Sequence, residues 1–131
     1  MSRLTDLERR ERALSERDFQ VQVTDLAEAL GWTWAHFRAM QNRRGMWQVP
    51  VEGPLGVGWP DVVLLRVRDR RLVFTELKRE LGHATAEQAA TLAGLGELSH
   101  GLGGSMVEAY LWRPSDLRDP IETSPIYAVL R

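Results

Sequence analysis

The sequence predicts a small mixed α/β domain in which a four-stranded sheet is flanked by helices, in the order α-β-β-β-α-β. In some stretches apolar residues recur at helical spacing, which indicates helices. In others they form short runs or alternate with polar residues, which indicates strands. A helical segment separates the third strand from the fourth, so these two strands are predicted to be parallel, whereas the earlier strands form antiparallel pairs. The 131 residues fit one domain, predicted at 15–131 behind a charged helical leader at 1–14.

The composition excludes several classes of site. The chain has no cysteine, which removes disulfides, zinc-thiolate sites and cysteine nucleophiles. No apolar run approaches the roughly 18 residues of a membrane span, and the charged N-terminus does not resemble a signal peptide, so we expect a cytoplasmic protein without a membrane partner. The net charge of −1 allows nucleic-acid binding through arginine-rich stretches at 38–44 and 66–79, but does not demand it.

The N-terminal third contains the clearest helix. After the leader, Ser15 is a suitable N-cap, and Gly31 is a suitable residue to follow the helix C-terminus. Between them, spacings of four, three and four residues place one apolar stripe on a helix: Phe19, Val23, Leu26 and Leu30. Trp32–Met40 is rich in aromatic residues and is predicted to be the first strand.

The middle of the chain predicts a hairpin. Four glycines and three prolines in 41–60 indicate a long loop or hairpin excursion. Val62–Val67 is almost continuously apolar, as in a central strand. Asp69-Arg70 is a tight turn signal, and Leu72–Lys78 is the next strand.

The C-terminal third predicts a helix, a turn and a strand. Thr85 caps a helix over 86–99, followed by a glycine-rich turn at 101–104 and a strand at Met106–Trp112. In the tail, a short helix start is predicted at Ser115-Asp116, interrupted by Pro120 and Pro125.

Two carboxylates and an amine are predicted to converge at the central hairpin. Side chains two positions apart share a strand face, so Leu72 and Phe74, predicted to face the core, align with Glu76 and Lys78. Counting from the turn in both directions brings Asp61 opposite Glu76.

Such an arrangement suits a divalent cation. Adjacent carboxylates repel each other unless a proton or a cation intervenes, and oxygen ligands with open positions suit Mg²⁺ or Mn²⁺. The predicted ligands are Asp61, Glu76 and the carbonyl of Leu77, with Lys78 stabilising negative charge on phosphorus. The alternative is a surface salt bridge between Glu76 and Lys78.

Five segments in this order resemble a known family. Gly58-Trp59-Pro60-Asp61, followed after fourteen residues by Glu76-Leu77-Lys78, looks like the PD-(D/E)XK nuclease signature. The flanking segments are similar to the VRR-NUC branch, which includes stand-alone phage and bacterial nucleases. These segments are Ser15–Val23, Gly31-Trp32 with His36, Glu76–Gly82 with Thr85-x-x-Gln88, and Tyr110–Pro114. The likeness covers residues 15 to about 117.

The resemblance implies a restriction-endonuclease-like fold and Mg²⁺- or Mn²⁺-dependent hydrolysis of DNA, with Asp61, Glu76 and Lys78 as the core site. It suggests Glu16 as an auxiliary acid and Gln88 as a helix residue near the site. It also implies a homodimer that cuts branched, Holliday-junction-like DNA in a bacterial or phage-infected cell. The segment from Arg43 to Val57 is longer than the family pattern.

Several of these roles have simpler alternatives. Glu16 lies in the first turn of its helix, where the helix dipole stabilises a carboxylate. The alternative role of Gln88 is that of a helix cap and nothing more. Nucleic-acid contacts are predicted for Arg38, Arg43, Arg44 and Trp47, the last by stacking on a base. Two further functions stay open: a non-catalytic nucleic-acid-binding module with the same fold, or an interaction protein that docks through its leader helix.

Overall fold

A computed structural model describes residues 2–98 and 107–131 of the chain. Its α-helices are α1 (Asp6–Ala13), α2 (Glu16–Ala29), α3 (Ala86–Leu98) and α4 (Pro125–Leu130). Its strands are β1 (Thr33–His36), β2 (Met40–Gln41), β3 (Trp47–Gln48), β4 (Val62–Arg66), β5 (Arg71–Leu77) and β6 (Val107–Trp112). The glycine-rich turn predicted at 101–104 lies outside the described residues, as do the predicted helix end at Ser99 and the predicted strand start at Met106.

A four-stranded mixed sheet, in the order β1-β4-β5-β6, is the centre of this α/β fold. β4 is antiparallel to both β1 and β5, whereas β5 and β6 are parallel, as predicted from the helix between them. In the β4–β5 pair Val62 lies opposite Thr75, so continuing the register by one residue brings Asp61 opposite Glu76.

Helix α2 matches its sequence prediction. The Ser15 hydroxyl accepts a hydrogen bond from the Asp18 amide at 3.1 Å, which satisfies one of the free donors at the helix start. At the other end, Gly31 has a φ of 87°, a conformation that glycine adopts without steric cost. The apolar stripe packs Phe19 and Val23 into the core with no exposed surface.

The main core lies on one face of the sheet, and this corrects the prediction for β5. Val73 and Leu77 are buried there with Leu64, together with α2 residues. Leu72 and Phe74, which were predicted to face the core, belong to the opposite face and are only half-buried. On that face the Phe74 ring meets Trp59 edge-on, with centroids 5.7 Å apart. The strand carries apolar residues on both faces because both faces are covered.

The first strand is shorter than predicted. Instead of running over Trp32–Met40, it stops at His36, and Met40 belongs to a separate two-stranded hairpin of β2 and β3. A 3₁₀ segment, Pro54–Gly58, then leads back to the sheet. The predicted excursion at 41–60 is therefore an ordered hairpin and a helical turn.

The C-terminal tail contains a helix that the sequence prediction missed. Pro125 does not interrupt the tail but occupies the first turn of α4, where its missing N–H has no helical partner in any case. Ser124 caps the helix by accepting a hydrogen bond from the Tyr127 amide at 3.2 Å. Ile126 and Leu130, four residues apart, are fully buried.

The leader forms the predicted helix, α1, and it contacts the rest of the chain. Glu11 is 6% exposed and accepts two hydrogen bonds from the Arg118 guanidinium, at 2.8 and 2.9 Å. This ion pair connects α1 to the C-terminal tail, 107 residues away in the sequence. Among the described residues, no helix has the length and apolar content needed to cross a membrane.

Candidate active site

The central hairpin brings Asp61 and Glu76 together. The Leu77 amide donates a hydrogen bond to Asp61 Oδ2 at 3.0 Å, and the Asp61 amide donates one to Glu76 Oε2 at 3.3 Å. The negative charge of Asp61 is close enough to raise the pKa of Glu76. The predicted proximity of the two carboxylates is therefore confirmed.

Glu76 is an unusual glutamate because it is 1% exposed and lies beside a second carboxylate. Burial, followed by the negative charge of Asp61, raises its pKa to about 8. A neighbouring cation opposes this shift: Lys78 Nζ lies 3.3 Å from Glu76 Oε1, and the lysine side chain is 14% exposed. The Glu76–Lys78 pair is thus not the exposed surface salt bridge of the alternative interpretation.

Gln88 both caps α3 and contacts the acidic pair. Its side-chain oxygen accepts a hydrogen bond from the Thr85 amide at 2.9 Å, while the Thr85 hydroxyl accepts one from the Gln88 amide at 3.1 Å. Its side-chain nitrogen donates to Glu76 Oε1 at 2.9 Å. The capping interaction fixes the side-chain amide of Gln88, and this side-chain amide in turn orients the buried Glu76 carboxylate. The two interpretations of Gln88 are therefore compatible.

These side chains lie at the polar floor of an open cleft of about 700 Å³. Glu16, at the start of α2, lines the same cleft, as does Trp47 from β3. Another wall comes from the segment between the hairpin and β4, and its lining residues are apolar except for Glu52. An open cleft with carboxylates on one side can admit a ligand from solvent.

A smaller recess of about 280 Å³ meets the cleft at Asp61 and Glu16. Its other polar residues are Arg17, Gln20, His36 and Arg38. Partial burial lowers the pKa of His36; Asp61 opposes this effect, while Arg38 and Arg17 add to it. The recess therefore brings basic and uncharged polar side chains beside Asp61.

The donor set fits a divalent cation with open coordination positions. Among residues 2–98 and 107–131, no three His, Cys, Asp or Glu side chains form a group that could hold a metal. Mg²⁺, however, is usually held by one or two carboxylates and keeps several waters, so Asp61 and Glu76 meet its requirement. A strand residue directs its N–H and C=O to the same side. The Leu77 carbonyl therefore points to the edge where its N–H meets Asp61.

Some predicted contact residues lie away from the floor of the cleft. Arg43 and Arg44 form the exposed turn between β2 and β3 and are not among the described residues that line the cleft. The prediction also missed the buried Gln20 and the apolar wall at 49–57. The signal for the wall was the run Val49-Pro50-Val51, but glycines and prolines around it indicated a loop.

Comparisons of the chain with protein-family models, with curated proteins and with solved structures find no match. The case for its function therefore rests on the contacts among Asp61, Glu76 and Lys78 and on the sequence pattern around them.

Proposed function

We propose that this protein is a divalent-metal-dependent nuclease that hydrolyses DNA phosphodiester bonds, with a restriction-endonuclease-like fold of the VRR-NUC type. The observation that carries the proposal is the buried Glu76 beside Asp61, with Lys78 Nζ 3.3 Å away, at the floor of an open cleft. Burying two adjacent carboxylates costs stability, and a site that binds a cation offers a reason to keep them.

Each residue has a separate task in this proposal. Asp61, Glu76 and the Leu77 carbonyl would hold Mg²⁺ or Mn²⁺, which when bound would polarise the phosphodiester and neutralise developing charge. Lys78 orients the attacking water and stabilises the additional negative charge on phosphorus. Gln88 holds the Glu76 carboxylate in place, and Glu16 faces the site from α2 as an auxiliary acid.

We further propose that the substrate is branched DNA and that the working unit is a homodimer, so that two sites can meet two strands. This part depends on the resemblance alone. In this proposal, backbone phosphates would be contacted by Arg38, which lines the smaller recess with Asp61, and by Arg43 and Arg44 in the exposed hairpin turn.

The test is cleavage of labelled branched, nicked and linear DNA by the purified protein in Mg²⁺ or Mn²⁺. We expect Lys78→Ala to lower the cleavage rate by about 10²–10³-fold, as when one group that stabilises a transition state is removed. Asp61→Asn should abolish cleavage without unfolding the chain. Circular dichroism and thermal melts check that both variants remain folded.

Arg79→Ala is the matched control because it removes a neighbouring, exposed basic side chain that is not among the described residues lining the cleft. Its rate should equal that of the wild type. Cleavage that survives Lys78→Ala would reveal a contaminating enzyme or a different site. Binding of branched DNA with no product over hours would instead favour the non-catalytic module.

A further inference from the structure

The apolar wall of the cleft is not used by the proposed hydrolysis. It contains Trp47 and Val57, which are 71% and 69% exposed, and it continues through Val49, Pro50 and Val51. Large exposed apolar side chains gathered beside a polar site are typical of a ligand-binding surface. The wall therefore needs an occupant that lies next to the reacting group.

Close packing holds the wall in position. A Cβ atom on Gly56 would lie 2.2 Å from the Val51 carbonyl oxygen, and one on Gly58 would lie 2.3 Å from the Glu87 carbonyl oxygen. Both glycines therefore allow backbone contacts that any other residue would prevent. The first contact folds the segment from Val51 to Gly58 onto itself, and the second packs it against α3, so this part of the wall is formed without a ligand.

The floor and the wall of the cleft differ in chemistry, and each matches a different part of a nucleotide. The floor, with Asp61, Glu76 and Lys78, suits a phosphate in the presence of a cation. The apolar residues of the wall do not suit a phosphate. They match the flat, uncharged face of a base, which stacks well on an indole. A base inside a duplex has both faces covered by its neighbours, so only an unpaired base can reach Trp47.

We propose that the apolar wall binds an unpaired nucleobase, with Trp47 as its stacking platform. The substrate class is therefore a nucleic acid with at least one unpaired nucleotide next to the cleaved bond, such as a single strand, flap or open junction. This proposal rests on the proposed nuclease function, because a phosphate at the floor is what makes a base the neighbouring group, but the affinity of the wall for a base can be measured without cleavage. A cleft of about 700 Å³ lies within the usual range of small-ligand pockets, about 300–1,000 Å³.

The test measures binding separately from cleavage. Fluorescence anisotropy in EDTA, and again with Ca²⁺, compares a labelled oligodeoxythymidylate with a blunt duplex of equal length. The wild type should bind the single strand more tightly, and Trp47→Ala should weaken that binding by about 5- to 150-fold, the usual loss of one stacking contact. Trp47→Phe should retain most of the affinity, and duplex binding should change little in either variant.

Trp34→Ala is the matched control. Trp34 is also a partly exposed tryptophan, at 39%, but it lies on β1 and donates a hydrogen bond to Glu28. We expect its loss to leave single-strand binding unchanged. Equal weakening by Trp34→Ala and Trp47→Ala would overturn the proposal, as would tighter binding of the duplex.

The two proposals fail in different ways. A protein that binds single strands through Trp47 but cuts nothing would disprove the nuclease function and leave the base-binding wall. A protein that cuts duplex DNA with unchanged rate after Trp47→Ala would do the reverse. Trp47→Ala that alters the oligomeric state in sedimentation, with no effect on nucleic-acid binding, would assign the wall to a protein interface and overturn the proposal.

Discussion

The two ends of the β4–β5 hairpin both bury charge, but the buried groups have different partners. At the turn end, Arg66 is 5% exposed, and its guanidinium donates to Asp69 and to main-chain oxygens of Leu30, Leu130 and Arg131. At the open end, Glu76 is equally buried but faces a second carboxylate. Glu76 has partners in Lys78 and Gln88, but burial and the charge of Asp61 outweigh them, and a raised carboxyl pKa in a cleft is typical of a functional site.

The same contrast separates two glutamates on adjacent strands. Burial tends to raise the pKa of Glu108, but hydrogen bonds from Arg71 and Tyr110 outweigh it and hold the pKa below its usual value. The pKa of Glu76 moves the opposite way, to about 8. Arg66 and Arg71 thus use their guanidinium groups on partners within the chain.

The largest expected effect is the loss of a satisfied charge. Arg66→Ala would leave Asp69 and several main-chain oxygens without their donor, and we expect it to lower the free energy of unfolding by about 3–5 kcal/mol. Urea denaturation at pH 7 measures this difference. Arg68→Ala, an exposed neighbour with one hydrogen bond at 3.3 Å to Leu30, should cost well under half as much. Equal costs would remove the distinction between the two ends.

At the open end of the hairpin, replacing the Glu76 carboxylate by a neutral group should stabilise the protein. Without metal, native Glu76 keeps its proton up to a pH of about 8, whereas the unfolded chain releases it near 4.5. The native state therefore binds more protons between these values, and its stability falls as the pH rises through them. The Glu76→Gln variant has no proton to lose at this position. Its free energy of unfolding should therefore exceed that of the wild type by on the order of 2–4 kcal/mol at pH 8.5, but by little at pH 4.

Urea denaturation in EDTA at the two pH values tests this expectation. Using the difference between variant and wild type cancels the titration of other groups, provided that they are unaffected by the substitution. Glu87→Gln, an exposed change in the first turn of α3, is the control and should show no such pH dependence. A Glu76→Gln variant less stable than the wild type at pH 8.5 would mean that the buried carboxylate is fully compensated.

A divalent cation should relieve the same repulsion. We expect Mn²⁺ at 100 times its dissociation constant to stabilise the protein by about 2.7 kcal/mol. The gain should be larger at pH 8 than at pH 5.5, because binding must displace the proton on Glu76. Thermal melts with and without Mn²⁺ measure it, and Asp61→Asn should remove it. The absence of any shift in the wild type would argue against a metal at this end.

Local signals predicted most of the elements near the site. The spacing from Phe19 to Leu30 predicted α2, and the apolar run of β4 followed by the Asp69-Arg70 turn predicted the hairpin. Because strand register follows from a short turn, counting was sufficient to bring Asp61 opposite Glu76. Thr85 and Gln88 carried a capping signal for α3, whereas the position of Gln88 near the site was implied only by the resemblance.

Features that depend on distant contacts were beyond the sequence. β5 has apolar residues on both faces, so alternation alone could not show that Val73 rather than Phe74 faces the main core. Pro125 is compatible with a helix start as well as a break, and only the packing of Ile126 and Leu130 decides between them. The apolar wall was hidden for the same reason, because Val49 to Val57 form a surface only after Gly58 packs on α3.

The smallest expected effect concerns Glu108, the satisfied counterpart of Glu76. Arg71 donates two hydrogen bonds of 2.7 Å to its carboxylate, and Tyr110 donates a third of 2.7 Å. Because the native pKa is lowered, the carboxylate contributes stability above its ordinary pKa, and this is lost as the pH falls through the native value. Glu108→Gln should therefore cost about 1 kcal/mol at pH 7 and less at pH 3.

The effect of Glu108→Gln on the free energy of unfolding should change with pH in the opposite direction to that of Glu76→Gln. The two substitutions therefore form a single test. Both replace a buried or half-buried glutamate by its neutral isostere on the same sheet, and urea denaturation in EDTA can measure both on one pH scale. If Glu108→Gln also stabilised the protein at high pH, burial alone would explain the cost of a carboxylate here. The different partners of the two glutamates, Arg71 on one side and Asp61 on the other, would then not account for it.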